Sequence, residues 1–178
     1  MTQVKTINLR GNQYAQVKDR LLAFREANSN GKIHTEVFTQ EGVTIFKAYV
    51  WKDKGDFLEL LKSGVDKSTA LLSSDANGTA RSDEADLKKD KGFEKLETIA
   101  VGRALAMLGY GTDGAIASSE EMENYHEFRA NEFIKFSQEC STLKELRDAF
   151  MNLPSEVARL EEVVEAKETA KARLTEES

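Results

Sequence analysis

The stretch GFEKLETIAVGRALAMLGYG, residues 92–111, constrains the fold more than any other part of this chain. After Thr98 it is apolar almost all round, so a helix over 93–108 belongs inside a protein rather than on its surface. At about 100° per residue, Phe93, Leu96, Ala100, Ala104, Met107 and Leu108 form the main apolar arc. Val101 and Leu105 extend one edge of it, and Ile99 and Ala106 the other. Two residues disturb this pattern. Gly102 costs about 1 kcal/mol against alanine in a helix interior. It lies opposite the main arc, towards Lys95 and Thr98, where the close approach of another backbone would account for it. Arg103 falls between Ile99, Ala106 and Met107, at the margin of the buried arc. Its stem can be buried while the guanidinium reaches a groove. Two partners fit: an internal carboxylate, Glu97 or an acid from elsewhere in the chain, or a nucleic acid phosphate bound bidentately. Buried charges are normally paired, which on physics alone favours the internal partner.

The segments before this helix read as α followed by β. Residues 13–27 place Tyr14, Val17, Leu21 and Phe24 at helical spacing, with Lys18 and Arg25 on another face. Asn28 to Gly31 is a stop and turn signal. The runs 33–38 and 43–52 are rich in strand formers and flank Thr39-Gln40-Glu41-Gly42, so a hairpin is expected. In the second strand Ile45, Lys47, Tyr49 and Trp51 share one face, and Phe46, Ala48 and Val50 the other. Aromatics beside a lysine suit base stacking; a half-buried sheet with one solvated lysine is the plainer reading. Residues 53–68 read as a polar connection with a short helical turn at FLELLK. A third strand is expected within 68–84, with Asp75 to Gly78 as a turn, bulge or hairpin tip. Lys88, Lys89, Lys91 and Lys95 then crowd the entry to the apolar helix. The sequence GYGTDGAIAS ends it, with Gly109 and Gly111 as C-cap and turn. That stretch follows a helix and has no lysine, so it is not a phosphate-binding P-loop.

From Ser118 the character changes. Helical segments are expected over 119–138, 142–151 and 155–174, with Thr142 and Glu145 as a capping box and Pro154 in a break. The last helix has few large apolar residues and reads as solvent-exposed, flexible or a partner-binding arm. Charge divides the chain in the same place. Residues 1–55 carry nine Lys/Arg against five Asp/Glu, whereas residues 112–178 carry eight against sixteen. The net charge of -6 therefore resides in the C-terminal third, and the N-terminal part stays compatible with a nucleic acid partner. Two domains are expected: 1–117, and an acidic helical region, 118–178.

Chemistry-bearing motifs are missing from the sequence. There is no paired-carboxylate motif, HExxH, nucleophile elbow or Walker A sequence, so a non-enzyme without cofactor is expected. The two histidines, His34 and His126, have no metal-ligand companions at useful spacing. The lone Cys140 excludes an internal disulfide, suits a reducing cytoplasm, and reads as a small residue near a helix end. No run is long and apolar enough for a membrane span, and the N-terminus lacks the apolar core of a signal peptide.

Residues 97–122, ETIAVGRALAMLGYGTDGAIASSEEM, resemble the hallmark segment of the ERF superfamily of phage single-strand annealing proteins. Residues 14–37, YAQVKDRLLAFREANSNGKIHTEV, resemble that group's N-terminal helix and first strand. The likeness spans roughly residues 10–122. More distantly, the pattern from Glu97 to Gly109 is similar to the eukaryotic Rad-fifty-two annealing protein. The resemblance implies an α+β fold: an N-terminal helix, an antiparallel three-stranded sheet packed on a central helix (a β-β-β-α core), then the acidic C-terminal helices. It implies a homo-oligomer, a ring or helical filament, that holds single-stranded DNA in a basic groove with its bases displayed. The function implied is ATP-independent strand annealing in bacteriophage DNA recombination and repair, in the bacterial cytoplasm. The alternatives are a passive single-stranded DNA binder, or an acidic helical adaptor that binds no DNA.

The position of Arg103 matches a DNA-contacting arginine of the family; the lysine that precedes it in the eukaryotic protein is Gly102 here. The expected phosphate contacts are Arg103 with Lys88, Lys89, Lys91 and Lys95, and secondarily Lys47, Lys52, Lys54 and Arg81. Tyr49, Trp51 and Phe93 are candidates for base or subunit contacts. The acidic helices are candidates for recruiting a host or phage single-strand-binding protein, or for screening the groove when DNA is absent. A solubilising appendage is the plain alternative.

Overall fold

A computed structural model describes residues 4–9, 12–83, 87–88, 91–112 and 117–176. The fold is α+β, with two compact units, Met1–Glu121 and Met122–Ser178. In chain order the first holds β1 (Thr6–Leu9), β2 (Asn12–Ala15), α1 (Val17–Ala27), β3 (Lys32–Gln40), β4 (Val43–Trp51), α2 (Lys54–Lys62), α3 (Lys67–Leu71), β5 (Ala76–Ser82) and α4 (Gly92–Met107). Then follow α5 (Ser119–Glu139), α6 (Leu143–Met151), α7 (Ser155–Ala158) and α8 (Glu161–Glu176).

The three long strands form one antiparallel sheet in the order β3-β4-β5. The hairpin between β3 and β4 closes more tightly than expected. Gln40 pairs with Val43, and Glu41 and Gly42 both take positive φ, as in a two-residue turn matched to strand twist. Alternation then gives the sheet two faces. Phe46, Ala48, Val50 and Ala80 face α4 and join Phe24, Leu96, Ile99, Ala100, Ala104 and Leu105 in the main core. Tyr49 and Trp51 lie on the other face and are buried with Phe57, Ala70 and Leu71. The region read as a polar connection thus supplies α2 and α3, which cover one end of that face. Asp53 and Asp66 cap them, each accepting a backbone N–H.

Two other expectations change. Residues 13–15 belong to β2, which pairs with β1, rather than to the first helix. Residues 76–78 lie within β5 and pair with β4, rather than forming a turn. Gly78 is where α4 sits down on the sheet. A Cβ there would stand 2.3 Å from the Ala100 carbonyl oxygen and 2.4 Å from the Ala104 nitrogen. The missing side chain lets helix backbone touch strand backbone.

In the second unit Ala130, Phe133, Cys140, Leu146, Val157, Val163, Ala170 and Leu174 form a separate core. The last helix is mostly exposed, as expected, but it is docked along one side: Val163, Ala170 and Leu174 form a narrow buried stripe along it. Arg173 of α8 donates to the carbonyl oxygens of Ser137 (3.2 Å) and Cys140 (2.9 Å), satisfying the end of α5. The capping box of Thr142 and Glu145 is formed. Cys140 is buried just past α5, where its thiol donates to the Ser137 carbonyl.

Candidate nucleic-acid interface

Helix α4 is buried on two sides, which resolves its odd composition. One side lies on the sheet. The other meets α1: a Cβ on Gly102 would come within 2.6 Å of Val17 Cγ2. The close neighbour is thus a side chain, where the sequence suggested a backbone. Two residues of the main arc behave differently from the rest. Met107 is 67% exposed at the helix end, and Phe93 is 47% exposed, edge-on to Phe46 at 4.7 Å.

Arg103 leaves α4 on the β5 side. Its Nη1 donates to the Thr79 carbonyl oxygen at 2.7 Å. Its Nε lies 3.2 Å from each carboxylate oxygen of Glu121, and its Nη2 donates to the same carboxylate. The hydrogen bonds to Glu121 raise the guanidinium pKa above its ordinary value, with burial acting against them. The partner is an acid from elsewhere in the chain and not Glu97, which faces the opposite edge and accepts from Thr35 Oγ1 at 2.7 Å. The Arg103 side chain nevertheless remains 42% exposed.

A second arginine supports the site from below. Arg20 is fully buried, although the sequence gives it to an amphipathic helix. Its Nη1 donates to the Gly102 carbonyl (2.9 Å), and its Nη2 to the carbonyls of Gly111 (3.3 Å) and Ala117 (3.2 Å). Burial pulls its pKa down, and the nearby charges of Glu120 and Glu121 act against that. Glu120 also accepts the Val17 backbone N–H (3.1 and 3.3 Å), capping α1, whose own N-cap residue Gln16 makes no side-chain bond. Arg20, Glu120 and Glu121 thus tie α1, α4 and residues 117–121 together.

The other expected contacts fall into three groups. Lys47 and Arg81 lie on the sheet face turned away from α4; Lys47 pairs with Thr79, whose carbonyl holds Arg103, and Arg81 pairs with Ile45. The Lys47 and Arg81 side chains thus project from the face opposite the one on which Arg103 comes in from α4, and β5 backbone is what the three have in common. Lys47 also stands over the Tyr49 ring at 5.1 Å. Arg81 lines an open depression of about 580 Å³ together with Glu41 and Asp83, so the charge there is mixed. Lys88, Lys91 and Lys95 are exposed at the start of α4, the end of the unit where Ser82 pairs with Thr44. Lys91 takes a left-handed conformation as the helix N-cap. Lys89 lies outside the described residues. Lys52 and Lys54 are exposed at the opposite end of β4. There the Lys52 N–H binds Asp75 and the Lys54 N–H binds the Asn30 carbonyl.

Tyr49 and Trp51 are not a stacking platform. They are 7% and 1% exposed, because α2 and α3 cover them, and the Trp51 indole N–H donates to Ser73. The exposed aromatics of this unit are Phe93 and Phe38, the latter 46% exposed near the hairpin tip. Nothing in the local strand pattern separates Phe38 from Tyr49; the difference lies in how far the covering helices reach.

Among the described residues no group of His, Cys, Asp and Glu is arranged to hold a metal ion, and no helix is long and apolar enough to cross a membrane. Comparison with protein-family models, curated proteins and solved structures gave no match.

Proposed function

We propose that this chain binds single-stranded DNA and anneals complementary strands without ATP, as an oligomeric, non-catalytic protein of phage recombination acting in the bacterial cytoplasm. The observation that carries the reading is the half-exposed guanidinium of Arg103 at the junction of β5 and α4. It occupies the position that the ERF-like motif gives to a DNA-contacting arginine. A three-stranded sheet lies on that helix, and exposed lysines flank its start. The α+β core agrees with the fold that the resemblance implies.

The chemistry needs no covalent step. Lys and Arg neutralise phosphates and lower the repulsion between two strands. One strand is held extended, a complementary strand pairs with it, and duplex formation supplies the driving force. In the first unit Phe93 and Phe38 are the exposed aromatic surfaces available for base contact; Tyr49 and Trp51 are buried.

Fluorescence anisotropy with a labelled oligothymidylate, followed across salt, tests the binding half of the proposal. Binding is expected to weaken with a log–log slope of about −0.7 per phosphate contact. Arg103→Gln is expected to weaken binding and flatten that slope by about one contact. Absence of binding at low salt by the folded protein would overturn the proposal in favour of an adaptor role.

A further inference from the structure

Arg103 presents its Nε and Nη2 edge to Glu121, and that edge is the fork that takes two oxygens of a phosphate. Thr79 holds the third nitrogen, so the fork cannot simply turn away from the carboxylate. Solvent still reaches both partners: the side chains of Arg103 and Glu121 are 42% and 22% exposed.

The carboxylate is also held in place. The Glu121 N–H binds Ser118 Oγ at 3.2 Å, Ser118 and Ser119 are buried, and the neighbouring Glu120 is anchored on the Val17 N–H. A tethered anion of this kind has a high effective concentration at its site.

We propose that Glu121 is a built-in competitor for the phosphate at Arg103, forming a latch that single-stranded DNA displaces. This inference rests on the reading of Arg103 as a phosphate contact. The latch lowers affinity for any anion at this fork, and it favours ligands that bring several phosphates at once, because contacts with more distant exposed cations, such as Lys91 and Lys95 at the start of α4, can then offset the cost of opening it. Isolated phosphate gains little.

The test compares oligothymidylate affinity of the full chain as wild type, Glu121→Gln, Arg103→Gln and the double variant. Glu121→Gln is expected to tighten binding about two- to fivefold, the range of a half-exposed ion pair. The gain is expected to vanish in the Arg103→Gln background. Unchanged or weaker binding by a fully folded Glu121→Gln protein overturns the latch. A lowered melting temperature without tighter binding assigns Glu121 to neutralising the buried Arg20 instead. If wild type binds and Arg103→Gln weakens it while Glu121→Gln does nothing, the latch fails and the functional reading stands. If no variant binds, both fail.

Should Glu121→Gln not fold, the wild-type protein answers the question by NMR. The Arg103 Nε–Hε resonance is expected to move on saturation with oligothymidylate and to stay in place with inorganic phosphate at the same concentration. A resonance unmoved by saturating oligonucleotide overturns the latch.

Discussion

Replacing Gly102 by alanine sets two opposed terms against each other. Alanine in a helix interior gains about 1 kcal/mol over glycine. Against this, the new Cβ would stand 2.6 Å from Val17 Cγ2. That is about 1 Å inside ordinary carbon–carbon contact. Val17 is β-branched and lies at the start of α1, so its methyl cannot swing aside cheaply. Overpacking of this kind costs about 1–3 kcal/mol. Gly102→Ala alone is therefore expected to destabilise the first unit by up to about 2 kcal/mol. Shortening Val17 to alanine removes the clashing methyl and leaves its Cβ at an ordinary 3.7 Å. In the Val17→Ala background, Gly102→Ala should become stabilising by up to about 1 kcal/mol. Trp51, the chain's one tryptophan, is buried in this unit, so its fluorescence follows urea unfolding there. The four proteins make a double-mutant cycle with an expected coupling of about 1–3 kcal/mol. A stabilising Gly102→Ala in the wild-type background, or no coupling, would refute the packing account of this glycine.

Three further outcomes are expected. Gly78→Ala, which drives a Cβ into helix backbone rather than a side chain, should cost at least about 3 kcal/mol; a loss under 1 kcal/mol by the same fluorescence would show that α4 can lift off β5. Arg20→Met should cost about 3–5 kcal/mol, because it leaves Glu120 and Glu121 without their buried countercharge; a melting temperature equal to wild type would remove Arg20 from its supporting role. Glu36 is hydrogen-bonded by Lys67 at 2.8 Å, which holds its pKa below the usual carboxylate range. Its contribution is full above the ordinary Glu value of about 4.3 and lost as pH falls through the lower folded value. The pair is largely solvated, so the effect is under about 1 kcal/mol. The urea midpoint of Lys67→Met should accordingly fall less steeply on acidification than that of wild type; superimposable pH profiles would contradict this.

The sheet and the central helix were legible because their periodicities are strong: alternation through 43–52, and an apolar arc through 93–108. Arg20 was legible too, in principle. It stands three residues after Val17 and four before Phe24, on the apolar face of α1, and a charge at such a position marks a buried hydrogen-bonding hub. The burial of Tyr49 and Trp51 was harder to read. It depends on two helices of nine and five residues, too short to give a clear period. Glu121 could not be found from spacing alone. It meets Arg103 across 18 residues, and Glu120 meets Val17 across 103, and only the folded backbone brings those carboxylates to their partners. Glu120 and Glu121 read locally as acids that favour the start of α5. The same acids also neutralise and cap elements elsewhere in the first unit.

The rate at which two complementary oligonucleotides pair in the presence of the protein, with neither nucleotide nor metal ion added, tests the central claim most directly. Wild type is expected to accelerate pairing over the protein-free rate, and Arg103→Gln to lose most of that acceleration while remaining folded by Trp51 fluorescence. Binding without any acceleration would make this a passive single-stranded DNA coat, and an equal rate for wild type and Arg103→Gln would take the annealing groove away from Arg103.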